Sequence, residues 1–483
     1  MCVLMIVIII NVSIIISIEN KIRVVNMNNT VKTNKYEMDM CNGPLLNKLI
    51  IFSIPLILSG MLQLLFNAAD VIVVGQYAGK EALAAVGSTS SLTNLLINVF
   101  MGLSVGANVL VARFYGAGQK KELDEMIHTA IATSLIAGVF LIFVGFFVSK
   151  PALAFMETPE DVIDQSVLYM RIYFAGMPAL MLYNFGSAIL RAIGDTKRPL
   201  YYLLFAGVIN VVLNLIFVII FHMGVAGVAL ATVISQAISA ILVIRCLILN
   251  DGIVCLDLKK LRIVPDKLFK MIRIGVPAGL QGAMFSISNV LIQSSINTFG
   301  SVAMAGNTAA LNIEGFIYTA MNALHQGAVS FTGQNFGAHK FRRIAKITII
   351  CEGMVIAVGI LLSVIVLIFV EPLLSLYSGE AEVIQYGIKR LQIICSTYFL
   401  CGMMDVMVGI LRGMGYAIAP MIVSLTGVCA FRVVWIYTVF KNFHTLEVLY
   451  LSYPVTWTVT FLVQLIMFLI IYKKYKGLDV SNE

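Results

Sequence analysis

Twelve long apolar stretches follow one another along this chain, at roughly residues 48–75, 82–112, 126–148, 163–190, 199–221, 225–248, 274–297, 303–333, 347–370, 384–411, 420–440 and 450–472. No other feature limits the possible folds as strongly. A run of about 20 apolar residues is long enough to cross the hydrocarbon layer of a bilayer as a helix. The expected fold is therefore an all-α polytopic membrane protein with twelve transmembrane helices. Composition agrees, since 60% of the 483 residues are hydrophobic and 12% are charged, about half the ~25% charge content of soluble chains. An ordinary soluble protein is excluded.

The few charges are unevenly placed. Lys and Arg number 33 against 25 Asp and Glu, a net +8. The excess falls on alternate connections: Arg113, Lys120 and Lys121; Lys197 and Arg198; a cluster from Lys259 to Arg273; Lys340, Arg342, Arg343 and Lys346; and Lys473, Lys474 and Lys476. The opposite connections hold little beyond Lys80, Lys150 and Lys441. Cytoplasmic loops carry such an excess, so the charge reads as an orientation signal and not as a nucleic-acid surface. It predicts that both ends of the twelve-helix body, and the tail 473–483, lie on the cytoplasmic side of a cytoplasmic membrane.

The apolar segment 1–18 reads either as a thirteenth span or as an over-extended start. The second reading is preferred, because Met27 opens a polar stretch suited to a cytoplasmic N-terminal segment that ends near residue 47. The eight Cys and five His are scattered, without a CxxC pair or metal-ligand spacing, so neither a disulfide framework nor a resident metal or cofactor is expected. Gly75 to Ala82 has a superficial likeness to a phosphate loop, but the spacing before Gly79 and Lys80 is wrong and Glu81 follows. Energy for uphill transport would then come from ion gradients or from a partner protein.

An internal repeat is visible at an offset near 221 residues. Pro55, Gly60 and Asn67 recur as Pro277, Gly282 and Asn289; Gly106 to Gly118 aligns with Gly327 to His339; Leu190 to Pro199 aligns with Leu411 to Pro420. Each half holds six spans, an even number, so the halves share one orientation and form a parallel repeat. The expected organisation is an N-terminal lobe over 48–248, a cytoplasmic linker over 249–273 and a C-terminal lobe over 274–472. A cleft between two such lobes is where secondary transporters bind near the bilayer midplane.

Polar residues inside the spans stand out, since a charge at a helix centre costs about 2.5–3.5 kcal/mol on insertion scales. Asp70 in span 1 reads as a carboxylate that alternately takes a proton, Na⁺ or a cationic substrate, or else as a satisfied helix-packing residue. Gln63 lies two helical turns before it on the same face, and Asn67 lies between them. Asn210 and Asn214 are one turn apart in span 5 and face one way; Thr232, Ser235 and Gln236 do likewise in span 6. Amides and hydroxyls of this kind serve substrate or ion binding, or simply join helices. Pro55 and Pro277 are the candidate hinges, with a passive kink as the alternative. In the second half Glu314, Asp405 and Arg432 are the candidates. An unpaired Arg432 would be expensive, so it is expected to neutralise Glu314 or Asp405, whereas Arg171, Lys389 and Arg390 are expected to snorkel near span ends.

Over about Leu45 to Lys474 the chain resembles the multidrug and toxic compound extrusion (MATE) family. The likeness is carried by Pro55 with Asp70 to Gly75, by LRAIGDTKRP from Leu190 to Pro199, by Gly224 to Gln236, and by Gly333 to Ala338. The resemblance implies two lobes with alternating access that export cationic or amphiphilic small molecules in exchange for Na⁺ or H⁺. It matches Asp70 to the coupling carboxylate, with Na⁺ a candidate occupant beside it. It also matches Gln63, Asn210 and Thr232 to polar neighbours, and Pro55 to the proline where span 1 bends. Asn214 departs from the pattern, since one branch has an Asp there. Span 7 lacks the Glu of another branch around Phe285 and Ser286, and Asp405 sits about a turn from that branch's span 10 acid. Membrane lipids are the expected surroundings and a monomer the expected state. A lipid-linked oligosaccharide flippase of the same broad superfamily and, less well supported, an integral-membrane transferase are the alternatives. The first would show more spans and a strongly basic cavity, and the second clustered catalytic residues.

Overall fold

All regular structure is helical in the computed structural model, which describes residues 36–478 except 157 and 251. The apolar segment 1–18 lies outside the described residues. The first half comprises α1 (Leu45–Tyr77), α2 (Lys80–Gly116), α3 (Lys120–Phe155), α4 (Glu160–Ala175 followed by Met177–Ala192), α5 (Lys197–Leu215, continued by a π-helical turn Ile216–Ile220) and α6 (Gly224–Ile248). The second half comprises α7 (Pro265–Asn297), α8 (Ser301–Gly337), α9 (Phe341–Ile368), α10 (Ala381–Gly413), α11 (Ile418–Phe440) and α12 (Leu446–Tyr475). The twelve expected spans are all helical, in two six-helix halves.

Among the described residues ten helices are long and apolar enough to cross a membrane, and the two arms of α4, bent by 46°, make an eleventh. The bend coincides with Pro178 in the first turn of the second arm, where proline disfavours a continuous helix through the residue before it. The twelfth span is α8. Its 37 residues are more than a bilayer requires, but buried Asn307, Glu314, Gln334 and Asn335 dilute its apolar character. It tolerates them because α1, α2, α9 and α10 pack around it.

The connection between the halves is shorter than 249–273. Helix α7 already begins at Pro265, with proline in its first turn and Asp266 beside it, both favourable at a helix start. Its basic first turns are held against α3, where Lys267 pairs with Glu122 and the Val264 N–H donates to Thr129 Oγ1 at 3.1 Å. His128 fastens the connection as well: its Nε2 accepts the Asp257 N–H at 3.1 Å while Nδ1 lies 2.8 Å from the Asp124 carbonyl. This histidine is a packed structural residue.

The halves meet where α2 packs against α7 and α8, and α1 against α8. Gly102 and Gly106 on α2 face Gly275 and Gly279 on α7. A Cβ on Gly102 would lie 2.2 Å from the Gly279 nitrogen, so the two backbones are in direct contact, as small residues one turn apart permit. Farther along, at the basic end, Gly116 abuts the Gln334 carbonyl and Gly337 abuts the Arg113 carbonyl, each 2.0 Å from where a Cβ would stand. Gly116 and Gly337 are repeat partners, and their exchanged contacts are those a pseudo-two-fold axis requires.

Helices α1 and α7 also exchange cores. Leu45, Leu49, Phe52 and Leu56 belong to the hydrophobic core of the second half, whereas Val73 and Val74 pack with Val218, Val225 and Val228 of the first. Reciprocally, Met271 and Ile274 join the first half's core while Ile292 and Ile296 join the second's. Pro55 and Pro277 lie near these two changeovers, each inside an unbroken helix.

Candidate functional site

Helix α5 approaches α1 closely because Gly207 leaves room for Phe66, whose ring would otherwise lie 1.9 Å from a Cβ. Two turns farther along α5, Asn214 therefore reaches Asp70, with Asn210 one turn before it in the same cluster. The Asn214 amide donates one hydrogen to Asp70 Oδ1 and the other to Asn210 Oδ1 at 3.2 Å. The Asn210 amide in turn donates to Thr232 Oγ1 on α6 at 3.4 Å. The Thr232 hydroxyl lies 3.5 Å from Asp70 Oδ2 and 3.0 Å from the Val228 carbonyl, and its single proton serves one of the two. Three helices thus converge on one carboxylate through neutral donors.

Asp70 opens on a cavity of about 280 Å³ in the first half, lined also by Gln63, Asn67, Asn210 and Thr232. Ser235 and Gln236 line it too, so seven of the eight polar first-half residues singled out in the sequence share its wall, and the eighth, Asn214, stands behind it. Asn94, Tyr173 and Asn184 line it as well and were missed. Of these, Asn94 lies in a polar stretch of α2 that could have signalled it. Among the described residues no Lys or Arg lines the cavity. The described residues hold no group of three or more His, Cys, Asp or Glu suited to a metal ion, so any cation at this site would be bound by one carboxylate and neutral oxygens.

The second half is arranged differently from expectation. Arg432 does not neutralise Glu314 or Asp405. The partner of Glu314 is Arg390, whose Nε and Nη2 donate to the two carboxylate oxygens at 2.8 Å each. Nor does Arg390 snorkel: it is 1% exposed, and its Nη1 donates to Asn307 Oδ1 at 2.9 Å. A fork-to-fork pair of this geometry is the strong form of the interaction, and it holds α8 to α10 inside the half. Lys389, its neighbour in sequence, lies at the surface with Glu447 at 3.3 Å. Asp405 faces the Tyr318 hydroxyl and lies near Arg412; its backbone carbonyl is 2.6 Å from His325 Nδ1. Arg412 donates to Gln281 at 2.7 Å.

Arg432 itself is 4% exposed. Its guanidinium carbon lies 4.0 Å from the centroid of the Tyr453 ring on α12, and Nη1 is 3.5 Å from Asn289 Oδ1 on α7. A desolvated cation over an aromatic face gains about 2 kcal/mol, which partly offsets the missing carboxylate. The Nε hydrogen finds no acceptor among the described residues, and such a buried orphan costs about 1–3 kcal/mol.

With this geometry in place, comparison with known proteins is decisive. The MatE family model matches the chain twice, over residues 55–216 and 277–438. The chain belongs to the MATE family. The two matches start at Pro55 and Pro277, in agreement with the repeat. Among curated relatives, "Probable multidrug resistance protein YoeA" of Bacillus subtilis is 28% identical over 421 residues, covering 85% of this chain and 91% of that protein. A "FAD transporter" of Shewanella oneidensis is 25% identical over 356 residues, covering 72% and 77% respectively. Among solved structures, the outward-facing conformation of a multidrug resistance MATE family transporter of the MOP superfamily superposes with a TM-score of 0.86 at 23% identity, covering 92% of this chain and all of that one. This MATE chain therefore has the family's twelve-span fold, and its polar cavity lies within the first matched repeat and α6.

Proposed function

We propose that this MATE-family chain is a cation-coupled multidrug antiporter of the cytoplasmic membrane, with its C-terminus inside, and not an enzyme. Substrates are cationic or amphiphilic small molecules, the coupling ion is H⁺ or Na⁺, and the working unit is a monomer in the lipid bilayer. The observation that carries this reading is Asp70: among the described residues a lone carboxylate on a cavity wall, beside amide and hydroxyl donors and with no basic side chain lining the cavity. Such a group is charged when empty and is neutralised by a proton, Na⁺ or a cationic substrate, which makes those occupants mutually exclusive. Gln63, Asn67, Asn210, Asn214 and Thr232 position the carboxylate and contact cargo.

Alternating access is supported by the exchanged cores of α1 and α7. Each helix is anchored in both halves, so bending near Pro55 and Pro277 would let the halves rock while the glycine contact between α2 and α7 acts as the pivot. The names of the relatives, which range from multidrug resistance to FAD transport, support a small-molecule cargo without narrowing it.

The test is flux of a fluorescent cation into proteoliposomes under an imposed Na⁺ gradient or pH gradient, comparing the unaltered chain with Asp70→Asn. Gradient-driven flux is expected in the former and background flux in the latter. Equal gradient-driven flux by both proteins would remove Asp70 from the mechanism, and transport indifferent to both gradients would remove the antiporter.

A further inference from the structure

The repeat places a second polar site in the C-terminal half, in register with the first but of opposite polarity. Asn289 on α7 is the repeat partner of Asn67 on α1, and the residue three positions after it, where Asp70 stands in the first half, is Ile292, buried in an apolar core. Helix α11 supplies the other difference. It contains a π turn, Leu425–Ala430, over a stretch that is α-helical in α5. A π turn accommodates one extra residue, so the offset of 221 at Pro199 and Pro420 becomes 222 beyond it, the offset at which the two family-model matches end, at residues 216 and 438. This register sets Arg432 at the place of Asn210. The contact between Arg432 and Asn289 joins α11 to α7 as the Asn67 and Asn210 wall joins α5 to α1.

The charge count of this second site is unbalanced. Arg390 and Arg432 both lie against the ring of Tyr453, at 5.4 and 4.0 Å from its centroid. Glu314 is committed to Arg390 through both of its oxygens. No carboxylate is within ion-pair distance of Arg432 among the described residues, and its Nε hydrogen has no acceptor there. A planar guanidinium with free donors is matched in geometry by a carboxylate or a phosphate, and by few other groups.

We propose that Arg432, held between Asn289 and Tyr453, binds the carboxylate or phosphate of an amphiphilic cargo, so that the preferred substrate is zwitterionic and not a simple cation. The proposal deepens the antiporter reading and rests on it for the direction of transport, but the oxyanion site itself is read by binding alone.

Binding of two dyes to the purified full-length chain in detergent tests it: a rhodamine free acid, zwitterionic at neutral pH, and its methyl ester, a cation with the same ring system. In Arg432→Gln the Kd of the free acid is expected to rise about tenfold more than that of the ester. Arg432→Lys, which keeps the charge and loses the fork, is expected to fall between. An equal change for both dyes, or no change for either, overturns the proposal. If Arg432→Gln does not yield a monodisperse, cooperatively melting protein, Arg432→Lys decides alone: a ratio shifted in the same direction supports the site, and an unshifted ratio overturns it. Competition with the free acid by phosphatidylglycerol but not by inorganic phosphate assigns the oxyanion to a lipid headgroup, and the reverse assigns it to a soluble ligand. Since no gradient is present, failure of coupling through Asp70 leaves this result standing, and loss of dye selectivity leaves the coupling result standing.

Discussion

The two halves of the molecule share a fold and differ in what they do with buried charge. In the first, one acid faces a cavity with neutral amides and a hydroxyl and has no base beside it among the described residues. In the second, the acid Glu314 is locked to a base, and a second base, Arg432, is left over. Duplication thus preserved the positions of Asn67 and Asn289 while substitution at Asp70/Ile292 and Asn210/Arg432 reversed the sign of the neighbouring group. The difference has an energetic consequence for transport. A potential of 100 mV supplies ~2.3 kcal/mol per charge moved, and a tenfold ion gradient supplies ~1.4 kcal/mol. Exchange of one proton for a monocation cancels the first contribution, whereas exchange for a zwitterion keeps both.

The strongest challenge to this contrast is to transplant the acid. Asp70→Asn is expected to reduce gradient-driven dye flux to that of empty liposomes, and adding Ile292→Asp is expected not to restore it, because the new carboxylate would face Arg432 instead of neutral donors. Recovery of flux in the double variant would show that the halves are interchangeable. Next in size is the locked pair. Arg390→Leu strands a buried carboxylate and should cost about 3–5 kcal/mol in detergent melting, while Glu314→Leu with Arg390→Leu should recover most of that loss. A double variant as unstable as the single one would mean that the pair is more than a structural clasp.

A smaller effect is expected at the pivot. Gly102→Ala would drive a methyl group into the α7 backbone and should cost about 1–3 kcal/mol, seen as a lower melting temperature. Gly327, the counterpart in register of the neighbouring contact residue Gly106, has 3.5 Å to its nearest neighbour, Ser53 Oγ, and should tolerate alanine. The smallest effect is expected for Thr232→Val, which removes a hydroxyl 3.5 Å from Asp70 that also accepts from the Asn210 amide and should cost about 1 kcal/mol, read as a few-fold loss of flux.

Much of this was legible in the sequence because it depends on one helix at a time. Spans follow from hydropathy, and the cluster around Asp70 from polar residues at helical spacing in α1, α5 and α6. The register of the repeat was visible at Pro55 and Pro277. The pairing of Arg390 with Glu314 was not, since the two are 76 positions apart on α10 and α8. Arg390 looked like a snorkelling residue because only its distance from the span end could be read, and its direction around the helix could not. Arg432 was marked as a charge needing a carboxylate, but it lies on an aromatic face of α12, which no charge count would suggest. The beginning of α7 at Pro265 was missed because its first turns are basic and resemble a loop, until Glu122 on α3 is seen to hold them.

By itself, then, the amino-acid sequence determined how many times the chain crosses the membrane, which connections carry the positive charge, that the body is a parallel duplication, and that Asp70 is the acid to explain. These are properties of periodicity and composition along single segments. Only the tertiary structure decided which buried charges neutralise one another and which are left open, because an ion pair depends on the depth and rotation of two helices together. That is also why the opposite signs of the two half-sites became visible only when α1 could be set beside α5 and α7 beside α11.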